Sequence, residues 1–101
     1  MNKYRIIDIH THIFPDKIAD KAVDAIGEYY GLAMRGAGTV DALLESGRKI
    51  GVSKYVVLPT ATKVEQVDSA NRFIAEMQGR HQSFIGFGSL HPGLEDPGRE
   101  V

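Results

Sequence analysis

Three side chains able to do chemistry fall within five residues near the start of the chain: Asp8, His10 and His12. Tyr4, Ile6, Ile7 and Ile9 mark a short strand here, and Pro15 opens the next element, so both histidines lie where the strand ends. Side chains two apart on a strand project to the same face. Asp8, His10 and His12 are therefore expected on one face, with Ile7, Ile9 and Thr11 on the other. Two imidazoles held close on rigid backbone make a pair of ligands for a divalent ion, which takes neutral imidazole nitrogen at about 2.0–2.1 Å. Neutral imidazole is the ligating form, and imidazole in water is mostly neutral at pH 7. The plainer reading is a structural His-x-His. Against it, burying such groups without partners costs roughly 1–3 kcal/mol each, so an isoleucine strand has little reason to carry them unless that face lines a polar site.

Composition narrows the classes. The chain has 101 residues, the size of one domain, and its charges nearly cancel at a net of −1. Such a balance does not suggest nucleic acid or an anionic membrane as partner. There is no cysteine, so disulfides and thiolate metal sites are excluded. No apolar run approaches the roughly 18 residues of a membrane span. Met1 to Arg5 leads into the first strand with no apolar signal region, so a soluble, cytoplasmic chain is expected.

The elements that must position the histidines follow in order. Pro15 and Asp16 suit a helix start. Ile18, Ala22, Val23, Ile26, Tyr29 and Tyr30 recur at helical spacing, which predicts a helix over 15–29 with its apolar stripe against a sheet and Gly31 as its stop. Leu32 to Gly38 is a loop in which Arg35 is placed to reach a substrate carboxylate, although a single exposed arginine is usually a solvated side chain. Thr39 caps a second helix that runs to near Ile50. Tyr55-Val56-Val57-Leu58 is a continuous apolar run suited to a parallel strand buried on both faces. Thr62 and Glu65 have the spacing of a capping box for a third helix, with Val67, Ala70, Ile74 and Met77 as its stripe. Phe84 to Gly88 reads as a third strand leading into Ser89-Leu90-His91-Pro92, and Gly93 to Val101 as a polar entrance to a further helix that is not itself expected within these residues. This alternation predicts an α/β fold of parallel βα units with right-handed crossovers.

The stretch Asp8-Ile9-His10-Thr11-His12-Ile13-Phe14-Pro15 resembles the opening motif of the amidohydrolase superfamily. It is most similar to the branch of metal-dependent hydrolases and decarboxylases whose barrels begin D-x-H-x-H. Asn71-Arg72-Phe73-Ile74 and Phe84 to Pro92 resemble a second block of the same proteins. The resemblance implies that His10 and His12 bind a catalytic divalent metal, usually zinc. It implies further ligands and an aspartate base from later strands, so no catalytic base is assigned within these residues. A full (β/α)8 TIM barrel takes roughly 200–250 residues or more. Residues 1–101 are therefore expected to form a single partial domain, the first three strands of such a barrel. Three strands leave two open edges and an uncovered apolar face. The expected partners are a small-molecule substrate and either a second copy of the chain or the remainder of the barrel.

The implied activity is hydrolysis of an amide, ester or lactone by metal-activated water. Metal-dependent decarboxylation, or a non-catalytic α/β interaction module with structural histidines, are the alternatives. Asp8 is expected either to orient a ligating imidazole or to help fill the barrel floor. His91, just past the third strand, reads either as a loop histidine capping that strand or, as the resemblance favours, as a contact to substrate or to a ligating side chain at the mouth of the site. His81, in a polar turn at the opposite end of the sheet, is assigned no function, and neither Asp68 nor Asp96 is placed as a base.

Overall fold

The computed structural model describes residues 5–32, 36–61 and 63–100, so Arg35 and Thr62 lie outside the described residues. Three strands, β1 (Ile6–His12), β2 (Val52–Leu58) and β3 (Phe84–Gly86), form one parallel sheet in the order β1-β2-β3. Between them lie α1 (Asp16–Tyr30), α2 (Val40–Arg48) and α3 (Val67–Arg80), and a short α4 (Pro97–Glu100) follows. The expected α/β architecture of parallel strands and intervening helices is present.

Local chemistry explains the helix ends. Gly31 adopts φ 67°, and the N–H groups of Gly31 and Leu32 donate to the carbonyls of Glu28 and Gly27, closing α1 as a Schellman motif. The Thr39 hydroxyl accepts from the Ala42 N–H at 3.1 Å, as an N-cap should. A single turn of 3-10 helix, Val64–Gln66, precedes α3, and the Lys63 N–H donates to Gln66 Oε1 at 3.3 Å. That contact is one residue later than the Thr62–Glu65 pairing predicts.

The core lies on one face of the sheet. Tyr55 and Val57 from β2 and Phe84 from β3 meet Ile74 and Met77 of α3, with Ile13 beside them and Leu43 and Leu44 of α2 packed against the cluster. The Tyr55 and Phe84 rings meet edge to face, their centroids 5.8 Å apart. Tyr55 fits because residue 47 is glycine: a Cβ there would collide with the phenol ring and its hydroxyl. His81 also has a structural place, its ring lying 4.9 Å from that of Phe84.

Two expectations need correction. The β2 strand is buried on one face only: Tyr55 and Val57 are buried, whereas Val56 and Leu58 are half-buried. No described element covers that second face, where Ile7, Ile85 and Phe87 also stand exposed. Nor does α1 lay its stripe flat on the sheet. It stands off, with Ile18, Tyr29 and Tyr30 exposed, and borders a cleft on each side: about 950 Å³ towards α2 and about 500 Å³ towards α3. No helix among the described residues is long and apolar enough to cross a membrane.

Candidate metal centre

The two histidines sit at the C-terminal end of β1, and the pairing of that strand decides where they point. Asp8 aligns with Tyr55 and Thr11 with Val57, so three steps along β1 are matched by two along β2. One extra residue is taken up between Asp8 and Thr11, a β-bulge. Tyr55 and Val57 share the helix-covered face, so Asp8 and Thr11 lie on that face too. His12 aligns with Leu58 and belongs to the opposite, open face. The common face expected for Asp8, His10 and His12 is therefore not formed, because the bulge breaks the alternation on which it depends.

The bulge still brings the imidazoles together. His10 Nε2 and His12 Nε2 are 3.1 Å apart, with ring centroids separated by 5.1 Å and planes inclined at 68°. An ion at about 2.05 Å from both nitrogens would subtend an angle of about 100°. That angle lies between octahedral and tetrahedral values, so the separation of the two nitrogens suits a divalent cation. Both side chains are exposed to an incoming ion.

The neighbouring strand holds one of the rings. His12 Nδ1 lies 3.0 Å from the Leu58 carbonyl oxygen and 3.2 Å from Thr60 Oγ1. A carbonyl only accepts, so Nδ1 carries the proton and donates it, leaving the Nε2 lone pair directed at His10. A backbone carbonyl on the far ring nitrogen is a common companion of a metal-binding histidine. In the contact between the two rings, His10 Nε2–H is then the donor and His12 Nε2 the acceptor. The buried Thr11 hydroxyl donates to the Val56 carbonyl at 2.8 Å and ties the strand ends together on the other face.

Asp8 braces the site without touching an imidazole. Its Oδ1 accepts from the backbone N–H of His10 at 3.2 Å, across the bulge. Its charge is felt by Tyr55, whose phenol is pushed above its ordinary value of 10.0, first by burial and second by the Asp8 carboxylate.

His91 lies beyond the C-terminal end of β3, the end of the parallel sheet that also carries His10 and His12. Its Nδ1 accepts from the Gly93 N–H at 3.0 Å, closing a local turn. Among the described residues no group of three His, Cys, Asp or Glu side chains converges to hold an ion, so His91 does not join the pair.

Thr60 and the Leu58 carbonyl are the participants that sequence reasoning missed. Their signal was topological: residues ending the strand parallel to β1 must flank the residues ending β1. His12 and Thr60 also reach the larger cleft, lined by Phe14, Tyr29, Thr39 and Leu43. The site thus combines two converging imidazoles, a hydroxyl and a mostly apolar recess. No protein-family model matches the chain, and neither a curated protein nor a solved structure matches it significantly.

Proposed function

We propose that His10 and His12 are the first two ligands of a divalent metal, most simply zinc, in a metal-dependent hydrolase of amidohydrolase type. The observation that carries this reading is the 3.1 Å separation of the two Nε2 atoms, with His12 turned by the Leu58 carbonyl so that its lone pair faces the gap. The topology supports it as well. Parallel strands in sequential order with helices on one face are what the first three units of a βα barrel present. In such a barrel the open face would be the interior, and the strand ends bearing His10, His12 and His91 would be the catalytic end.

Bound there, a divalent cation supplies Lewis acidity, polarising a carbonyl and making water a nucleophile near neutral pH. The side chains do the rest. His12, held by Leu58 and Thr60, fixes the direction of approach. The recess from Phe14 to Leu43 takes the apolar part of a small-molecule substrate and shields it from bulk water. His91, beyond β3 at the same end of the sheet, is assigned a substrate contact at the mouth of the site. On this reading the further ligands and the base belong to later strands of such a barrel.

The test is metal content together with hydrolysis of amide, ester and lactone substrates and decarboxylation of carboxylic acids. It is run on the chain and on any longer product of its reading frame. Zinc is lost in His10→Ala and His12→Ala, while His91→Ala keeps its metal and loses substrate handling in the active protein. Unchanged zinc stoichiometry in both β1 variants contradicts the assignment.

A further inference from the structure

The pair is short of ligands. A zinc ion takes four donors in a closed site, and two imidazoles supply half of them. Among the described residues no third His, Cys, Asp or Glu joins His10 and His12. The remaining positions, 1–4, 33–35, 62 and 101, contain none of these residue types. In this arrangement the chain supplies two of the four donors of a closed imidazole site, leaving room for two more from a second copy.

The surface around the pair is short of a partner in a second sense. His12 pairs with Leu58 on the sheet face that no described helix covers, while also bordering the cleft between α1 and α2, and that open face carries Ile85 at 42 %, Ile7 at 52 % and Phe87 at 56 % exposure. Ile9, next to the pair, is 75 % exposed. Exposed apolar side chains gathered on one face, here with the charged Lys54 beside Ile7, mark an association surface.

A single operation remedies both shortages. A twofold axis through the gap between the imidazoles turns two His pairs into four ligands, and a twofold contact is self-complementary by construction. It also lays one open face against the other. Sheets stack about 10 Å apart, a gap bridged by imidazoles from opposite sheets meeting at one ion. We propose that the 101-residue chain forms a zinc-bridged dimer through its open sheet face, with His10 and His12 of each copy completing one four-imidazole site. This rests on the reading of His10 and His12 as a cation-binding pair, and it identifies the occupant of the open face when only these residues are present.

The experiment is a zinc titration of the purified chain, with molar mass followed by light scattering and bound zinc measured after gel filtration. The expected result is a doubling of mass that saturates at one zinc per two chains and reverses on adding a chelator. Cobalt in place of zinc should give the intense visible absorption of a tetrahedral site. His12→Ala should remain a single chain at every zinc concentration. Phe87→Glu leaves both imidazoles in place and should raise the zinc concentration needed for dimerisation at least tenfold, with circular dichroism verifying its fold. One zinc per chain with no change in mass overturns the dimer and leaves the cation-binding pair standing. No zinc uptake overturns both. Doubling without zinc, unaffected by His12→Ala, shows association through the apolar face alone and overturns the bridging role.

Discussion

The Nδ1 of His12 lies 3.0 Å from the carbonyl oxygen of Leu58 on the neighbouring strand. This one contact settles which nitrogen is available to a ligand, because the carbonyl demands a donor and the proton cannot be on both nitrogens of a neutral ring. Long-range ¹H–¹⁵N correlation spectra of the metal-free chain at neutral pH should show His12 protonated at Nδ1 and His10 at Nε2. The His12 pattern should persist in Thr60→Val, since the Leu58 carbonyl remains. A His12 ring protonated at Nε2 would contradict the arrangement.

Gly47 and Tyr55 form a second dependent pair. A Cβ at position 47 would overlap the Tyr55 ring, which is otherwise buried against α2 and Phe84. Gly47→Ala should therefore destabilise the chain by about 1–3 kcal/mol, the usual cost of overpacking. In a Tyr55→Leu background the same substitution should cost less, and urea unfolding of the four proteins measures that coupling. Equal costs in both backgrounds would mean that the two residues do not meet.

Tyr55 also gives the chain an alkaline limit. Its phenol holds its proton beyond the ordinary value of 10.0, chiefly through burial and further through the Asp8 carboxylate. Once unfolded, it ionises at the ordinary value. Above about pH 10 the unfolded chain then binds fewer protons than the folded one, and stability falls as pH rises. The contribution is complete below that pH and is lost as pH climbs through the folded value. Tyr55→Phe should flatten the decline in stability measured between pH 9 and 11 (about one unit on either side of the ordinary tyrosine value), and Asp8→Asn should reduce it slightly.

Asn71 holds the segment that leads to His91. Its Nδ2 donates to the Ser89 carbonyl at 2.9 Å, and its Oδ1 accepts from the Ser89 N–H at 2.8 Å. Nδ2 also donates to Glu100 Oε1 at 3.0 Å, drawing α4 onto α3. Asn71→Leu leaves the Ser89 backbone groups without these partners and should cost about 1–3 kcal/mol. Hydrogen exchange at the Ser89 amide should accelerate in step. Unchanged exchange would show that the amide is protected by something other than this side chain.

What could be read from the sequence was what local chemistry determines. Gly31 stops α1 and Thr39 starts α2 because a left-handed turn and a side-chain cap are properties of single residues. The apolar run Tyr55-Val56-Val57-Leu58 forms the central parallel strand between β1 and β3. The His10–His12 proximity was legible for a similar reason, since residues two apart on a strand stay close. The face on which Asp8 lies was not, because the bulge exists only in the pairing of β1 with β2. The Asn71–Ser89 latch spans 18 residues, and the His12–Leu58 contact 46, so neither leaves a local pattern. The stand-off of α1 likewise depends on what fails to pack against Tyr29 and Tyr30, which periodicity does not reveal.

The central claim is that His10 and His12 bind a divalent ion together, and its most direct test is zinc affinity measured by competition with a chromophoric chelator. The wild-type chain should bind zinc with an affinity that falls on acidification, as protons compete for the same two nitrogens. His10→Ala and His12→Ala should each weaken binding at least tenfold, with His81→Ala, whose ring packs on Phe84, indistinguishable from wild type in affinity. Equal zinc affinity in wild type, His10→Ala and His12→Ala would contradict the metal centre.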